Sequence, residues 1–143
     1  MDSPNLSPLK GFNSFKKAYE ISAHARLGPV LLFISSRNND LLIKGKVPEE
    51  DTIYFGISVP KKIFKKAVVR NRIKRLIRES LWKNIPLLAN QFNLQSVCTI
   101  LVNYKGEKIT KTNQIHLSEI DKILSQALLK FCKANLPKKM QEL

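Results

Sequence analysis

Between Lys61 and Arg78 the chain carries nine basic residues in eighteen and no acid: Lys61, Lys62, Lys65, Lys66, Arg70, Arg72, Lys74, Arg75 and Arg78. A solvated helix face ordinarily mixes signs, so that Glu and Lys four residues apart support one another. Here Arg70, Lys74 and Arg78 repel at that same spacing. A phosphate backbone relieves the repulsion, because guanidinium groups hold phosphate oxygens in pairs and stack on bases while ammonium groups add point charge. Asn71, lying among the arginines, suits a base edge or a 2′-hydroxyl, or equally a local bond to the backbone.

A second constellation is aromatic. Phe15 and Tyr19 lie four apart on an expected helix and Phe33 lies on an expected strand. Three aromatics beside positive charge can form a stacking platform for single-stranded RNA, although core packing is the commoner role for such residues. No catalytic constellation and no metal site is expected: His24 and His116 lie far apart without an obvious orienting partner. Cys98 and Cys132 form no CxxC pair and read as small buried hydrophobes.

The whole composition points the same way. In 143 residues, 25 Lys and Arg oppose 11 Asp and Glu, a formal charge of +14 with a pI near 10. Such a surface calls for a polyanion, nucleic acid first and an anionic membrane second. No apolar run approaches the roughly 20 residues that cross a bilayer. Met1-Asp2-Ser3-Pro4 lacks the basic start of a secretory signal, so the expected location is the cytoplasm, with both cysteines as reduced thiols.

The elements that must position these residues follow from periodicity. Apolar residues three and four apart predict a helix over Phe12 to Ala25, ended by Gly28-Pro29. Val30 to Ile34 is a compact apolar run read as a strand covered on both faces, followed by a turn at Arg37 to Asp40. Leu41 to Ile43 is a short strand at most, and much of the stretch to Asp51 reads as surface loop. Ile53, Phe55, Ile57 and Val59 alternate with Tyr54, Gly56 and Ser58 in the manner of a strand, closed by Pro60. Ala67 to Asn84 is the longest expected helix, stopped by Pro86, with Val69, Ile73, Leu76, Ile77 and Leu81 on its core side. Arg70, Asn71, Lys74, Arg75 and Arg78 gather on another side, and Arg72 projects to one side of them, toward a separate RNA contact. Val97 to Val102 is a strand and Asn103 to Asn113 a polar loop. Ser118 to Lys133 is a last amphipathic helix capped by Ser118, and a basic tail follows at Lys138 and Lys139. The expected architecture is a single α/β (α+β) RNA-binding domain over 1–143, a two-layer sandwich with an ordered core of about 9–134 and tails at 1–8 and 135–143.

Two stretches carry a family resemblance: Phe55-Gly56-Ile57-Ser58-Val59-Pro60-Lys61-Lys62, then Ala67-Val68-Val69-Arg70-Asn71-Arg72-Ile73-Lys74-Arg75-Leu76-Ile77-Arg78-Glu79. Together they resemble the signature of the bacterial ribonuclease P protein subunit. Phe15, Tyr19 and Phe33 match the family's aromatic cleft positions. The loop Ile63-Phe64-Lys65-Lys66 is one residue longer than the common form, with Phe64 where a glycine is frequent. The resemblance implies a fold like ribosomal protein S5 domain 2, a small mixed sheet whose basic helix makes a left-handed β-α-β crossover, against the usual hand of such connections. It also implies two partners, the ribonuclease P RNA on the basic helix and loop, and precursor tRNA, whose 5′ leader enters the aromatic cleft. The endonucleolytic cut belongs to the RNA subunit, with Mg2+ acting through that RNA and no cofactor held by a protein motif. Neither DNA nor membrane is an expected partner. A ribosomal-type structural RNA-binding protein is the alternative reading, and a DNA-binding module using the basic helix a third.

Overall fold

The computed structural model describes residues 4–37, 42–43, 45–105 and 117–137. His116, the turn at 38–40, most of the polar loop after Tyr104 and the basic tail at Lys138 and Lys139 lie outside the described residues, as does the side chain of Ser118. The elements are β1 (Asn5–Pro8), α1 (Phe12–Ile21), β2 (Ala23–Leu27), β3 (Val30–Ser36), β4 (Thr52–Ser58), α2 (Ala67–Ala89), β5 (Val97–Tyr104) and α3 (Leu117–Asn135).

The five strands form one mixed sheet in the order β1-β4-β5-β3-β2. β1, β4 and β5 run parallel, and β3 and β2 join antiparallel. α2 therefore connects two neighbouring parallel strands, β4 and β5, as expected. Alternation along the strands splits the sheet into two faces. Ile53, Phe55, Val30, Leu32, Ile34, Ile100 and Val102 share one core with the apolar sides of α2 and α3, including Ile73, Ile77, Leu81, Leu124 and Leu128. Tyr54 and Leu101 face the other way, where Ala18, Phe15 and Tyr19 of α1 cover them.

Several boundaries differ from the expectation, among them β5, which runs past Val102 to Tyr104 through the start of the expected polar loop. The first helix ends at Ile21, because Ser22 turns extended (φ −77, ψ 142) while its Oγ donates to the Ala18 carbonyl oxygen at 2.5 Å. The next residues then form β2, and Gly28-Pro29, with Gly28 at φ 55, is the turn of the β2–β3 hairpin rather than a helix stop. Asn5–Pro8, expected to be tail, pairs along β4 as an edge strand, with the Asn5 amide donating to the Asp51 carbonyl and the Leu9 amide to that of Phe55, both at 2.8 Å. Finally α2 runs through Pro86 to Ala89. A mid-helix proline costs ~3 kcal/mol, whereas continuing the helix buries Ile85 and Leu88 to 2% and 6% exposure, each worth about 1.5–3 kcal/mol. Packing wins over propensity.

α2 and α3 are joined by a polar network at Asp121. Its Oδ1 accepts from Ser80 Oγ and Asn84 Nδ2, both at 2.8 Å, and its Oδ2 pairs with Lys83 Nζ at 2.8 Å. Burial works to raise the Asp121 pKa, but the hydrogen bonds from Lys83, Ser80 and Asn84 and the Lys83 charge outweigh it, and the net shift is downward. A depressed folded-state pKa contributes stability that is present above the unfolded value of about 3.9 and lost as pH falls through the folded one. Urea unfolding across the acid range should show this loss, and Asp121→Asn should reduce it. An unchanged acid profile in that variant would remove Asp121 as its source.

Candidate nucleic-acid interface

The loop 60–66 is built around a buried plug. Phe64, fully buried, packs its ring 5.8 Å from that of Tyr104, and its amide donates to the Pro60 carbonyl at 3.0 Å. Arg70 then braces the loop from the first turns of α2, its Nη1 donating to the carbonyls of Phe64 (2.8 Å) and Lys65 (2.9 Å). Around this anchored turn Lys61, Lys62, Lys65 and Lys66 are all exposed. The first turn of α2 holds no acid, so the positive end of the helix adds to the lysine field.

Along α2, Val68, Asn71, Arg72, Lys74, Arg75 and Arg78 line one shallow groove. The grouping expected from the sequence changes in one respect. Arg72 joins this surface, and Arg70 leaves it, drawn to the carbonyls of the loop. Arg75 also stands 3.8 Å from Glu79 Oε1 in an exposed pair, an arrangement worth ~0–1 kcal/mol and readily exchanged for another anion.

Phe15, Tyr19 and Phe33 come together on the opposite face of the sheet, all partly buried around Leu101. Tyr19 and Phe33 meet edge to face with ring centroids 4.9 Å apart. Burial raises the Tyr19 pKa, only partly countered by its bond to Asn103, so the hydroxyl stays protonated and donates to Asn103 Oδ1 at 2.9 Å. Gly56 lets the Phe15 ring approach the sheet closely, since a Cβ there would stand 2.5 Å from Phe15 Cε1.

Strand register orders this face into rows. One row is Ser58, Asn103, Leu31 and Arg26, and the next is Gly56, Leu101, Phe33 and His24. The row beyond, through Tyr54 and Thr99, is closed by the stretch between β3 and β4. Ser14 Oγ donates to the Leu42 carbonyl at 2.8 Å, Ile43 packs on the aromatic cluster, and the Tyr54 hydroxyl accepts from the Glu49 amide at 3.2 Å. Arg37 ties that stretch down, donating to the carbonyls of Glu49 (2.7 Å), Thr52 (3.1 Å) and Gln95 (2.9 Å). Among the described residues the first row remains open, with Ser58 and Arg26 exposed and Asn103 and Leu31 half-buried. Ser58 lies two residues before Pro60, so the open groove and the lysine loop share one end of the sheet.

Sequence reasoning missed His24, Arg26 and Asn103 as groove residues. The alternation of Ala23, Ala25 and Leu27 with His24 and Arg26 was the available signal for β2. The two cysteines are free and buried. Burial pushes the Cys132 thiol up to about 11 and also raises that of Cys98, with the Arg37 charge acting against it. Both side chains therefore act as packing groups. Among the described residues no three His, Cys, Asp or Glu side chains gather as a metal site, and no helix is long and apolar enough to cross a membrane.

A family model described as Ribonuclease P matches residues 5–128. The chain is 28% identical over 126 residues to the ribonuclease P protein component of Prochlorococcus marinus, covering 87% of this chain and 95% of that one. It is 30% identical over 112 residues to that of Lactobacillus gasseri, covering 77% and 92%. Among solved structures, the RNase P protein of Staphylococcus aureus superposes with a TM-score of 0.58 at 21% identity, covering 86% and 93%, and so shares the fold. With the matched region running from β1 into α3 and taking in the basic loop, α2 and the aromatic groove, the chain belongs to the ribonuclease P protein component family.

Proposed function

We propose that this chain, the protein subunit of ribonuclease P, holds the ribonuclease P RNA with the loop 61–66 and the groove face of α2, and receives the single-stranded 5′ leader of precursor tRNA in the groove beside α1. The observation that carries the reading is the shared end of the two surfaces: the open row from Ser58 to Arg26 begins next to the lysine loop. Folded RNA meets fixed positive charge, and unpaired bases meet Tyr19 and Phe33, each stacked base contributing roughly 1–3 kcal/mol. The phosphodiester cut is made by the RNA subunit with its Mg2+, and the protein contributes affinity and placement. The site of action is the cytoplasm.

Adding the protein to a bacterial ribonuclease P RNA at low magnesium should restore removal of the leader from precursor tRNA. No stimulation would sink the reading. In the assembled enzyme, changing Arg75 and Arg78 together to Ala should lower the slope of log affinity against log salt by ~0.7–0.9 for each phosphate that the variant no longer neutralises. An unchanged slope would mean that neither side chain meets a phosphate.

A further inference from the structure

The groove has a far end that the aromatic positions Phe15, Tyr19 and Phe33 do not account for. From Ser58 the open row crosses β5 and β3 to β2, which is the sheet edge. The crossing covers three inter-strand spacings, about 14 Å. The opposite end of the same face is shut by Leu42, Ile43 and Glu49 against α1 and Tyr54. Among the described residues, the row leads a strand that enters beside the lysine loop across β5 and β3 and out over β2.

At that exit stand two exposed side chains with the chemistry of a nucleotide contact. The His24 ring lies 6.0 Å from Phe33, tilted by 41°, and Phe33 in turn meets Tyr19, so one ring series runs from α1 to the sheet edge. Arg26, on the same face one row along, is paired across the strands with Leu31. Edge strands commonly carry charge to deter pairing with other chains, but that role does not call for an imidazole continuing an aromatic series. We propose that His24 and Arg26 form a further subsite for single-stranded RNA, stacking a base and holding a phosphate of the leader beyond the part seated on Phe33; this rests on the groove reading above.

The test uses the enzyme assembled with ribonuclease P RNA and two precursor tRNAs, one with a leader of about ten nucleotides and one cut back to the nucleotides next to the cleavage site. The double variant His24→Ala, Arg26→Ala should bind the long-leader substrate about tenfold more weakly and the short-leader one within about twofold of the parent. His24→Phe, which keeps a stacking ring, should bind the long leader as the parent does. No loss on the long leader, or an equal loss on both, overturns the subsite. Phe33→Ala measured in parallel separates the two levels of inference. If it weakens long-leader binding while the edge variant does not, only the subsite falls. If neither variant distinguishes the leaders, the groove reading falls with it.

Discussion

Phe64→Ala is expected to lower the unfolding free energy by about 3–5 kcal/mol, the range for removing a fully buried aromatic side chain. Phe64 is buried completely and lies against Tyr104, so no solvent-facing rotamer of its neighbours can refill the space cheaply. The loss should also reach the RNA. Phe64 fixes the carbonyl that Arg70 Nη1 holds at 2.8 Å, and without the plug the brace and the four exposed lysines lose their common frame. Urea unfolding measures the first effect, and RNA titration of the folded variant measures the second. Phe64→Leu should recover much of both. A stability change under about 1 kcal/mol would mean the loop is anchored elsewhere.

Gly56→Ala is expected to destabilise by about 1–3 kcal/mol, the usual cost of overpacking. The new methyl would sit 2.5 Å from Phe15 Cε1 and 2.8 Å from Leu101 Cδ2. Leu101 is fully buried and has little room, so Phe15 is the group that must move, and it moves off the groove floor. Binding of precursor tRNA should therefore fall more than binding of mature tRNA. The cause can be isolated by a double-mutant cycle, since Phe15→Ala removes one side of the clash and should make the pair of substitutions less costly than their sum. Strict additivity would show that Phe15 is not what the methyl strikes.

Both predictions turn on residues whose types are plain in the sequence and whose consequences are not. Phe64 stands among lysines with no periodicity around it, so nothing local marks it as a plug. Gly56 belongs to a strand found by alternation, but the need for glycine there comes from Phe15 on α1, more than forty residues upstream in the chain. The same holds for Arg70. Helical spacing groups it with Lys74 and Arg78, whereas its bonds to the Phe64 and Lys65 carbonyls depend on a turn whose path no periodicity describes.

The sequence by itself determined the positive charge of the α2 segment, the alternation that makes β4 a strand with two different faces, the apolar stripe of α2 and the family to which the chain belongs. These are properties of neighbours along the chain: spacing exposes the first three, and the motif stretches Phe55 to Lys62 and Ala67 to Glu79 carry the resemblance to the family. Only the tertiary structure decided that Asn5–Pro8 completes the sheet, that α2 continues through Pro86, that residues 23–25 leave the expected helix and join 26–27 in the sheet edge, and that His24 and Arg26 end a groove beginning beside the lysines. In each case the deciding energy is contact between residues remote in sequence: ladder bonds to β4, burial of Ile85 and Leu88, and pairing with β3.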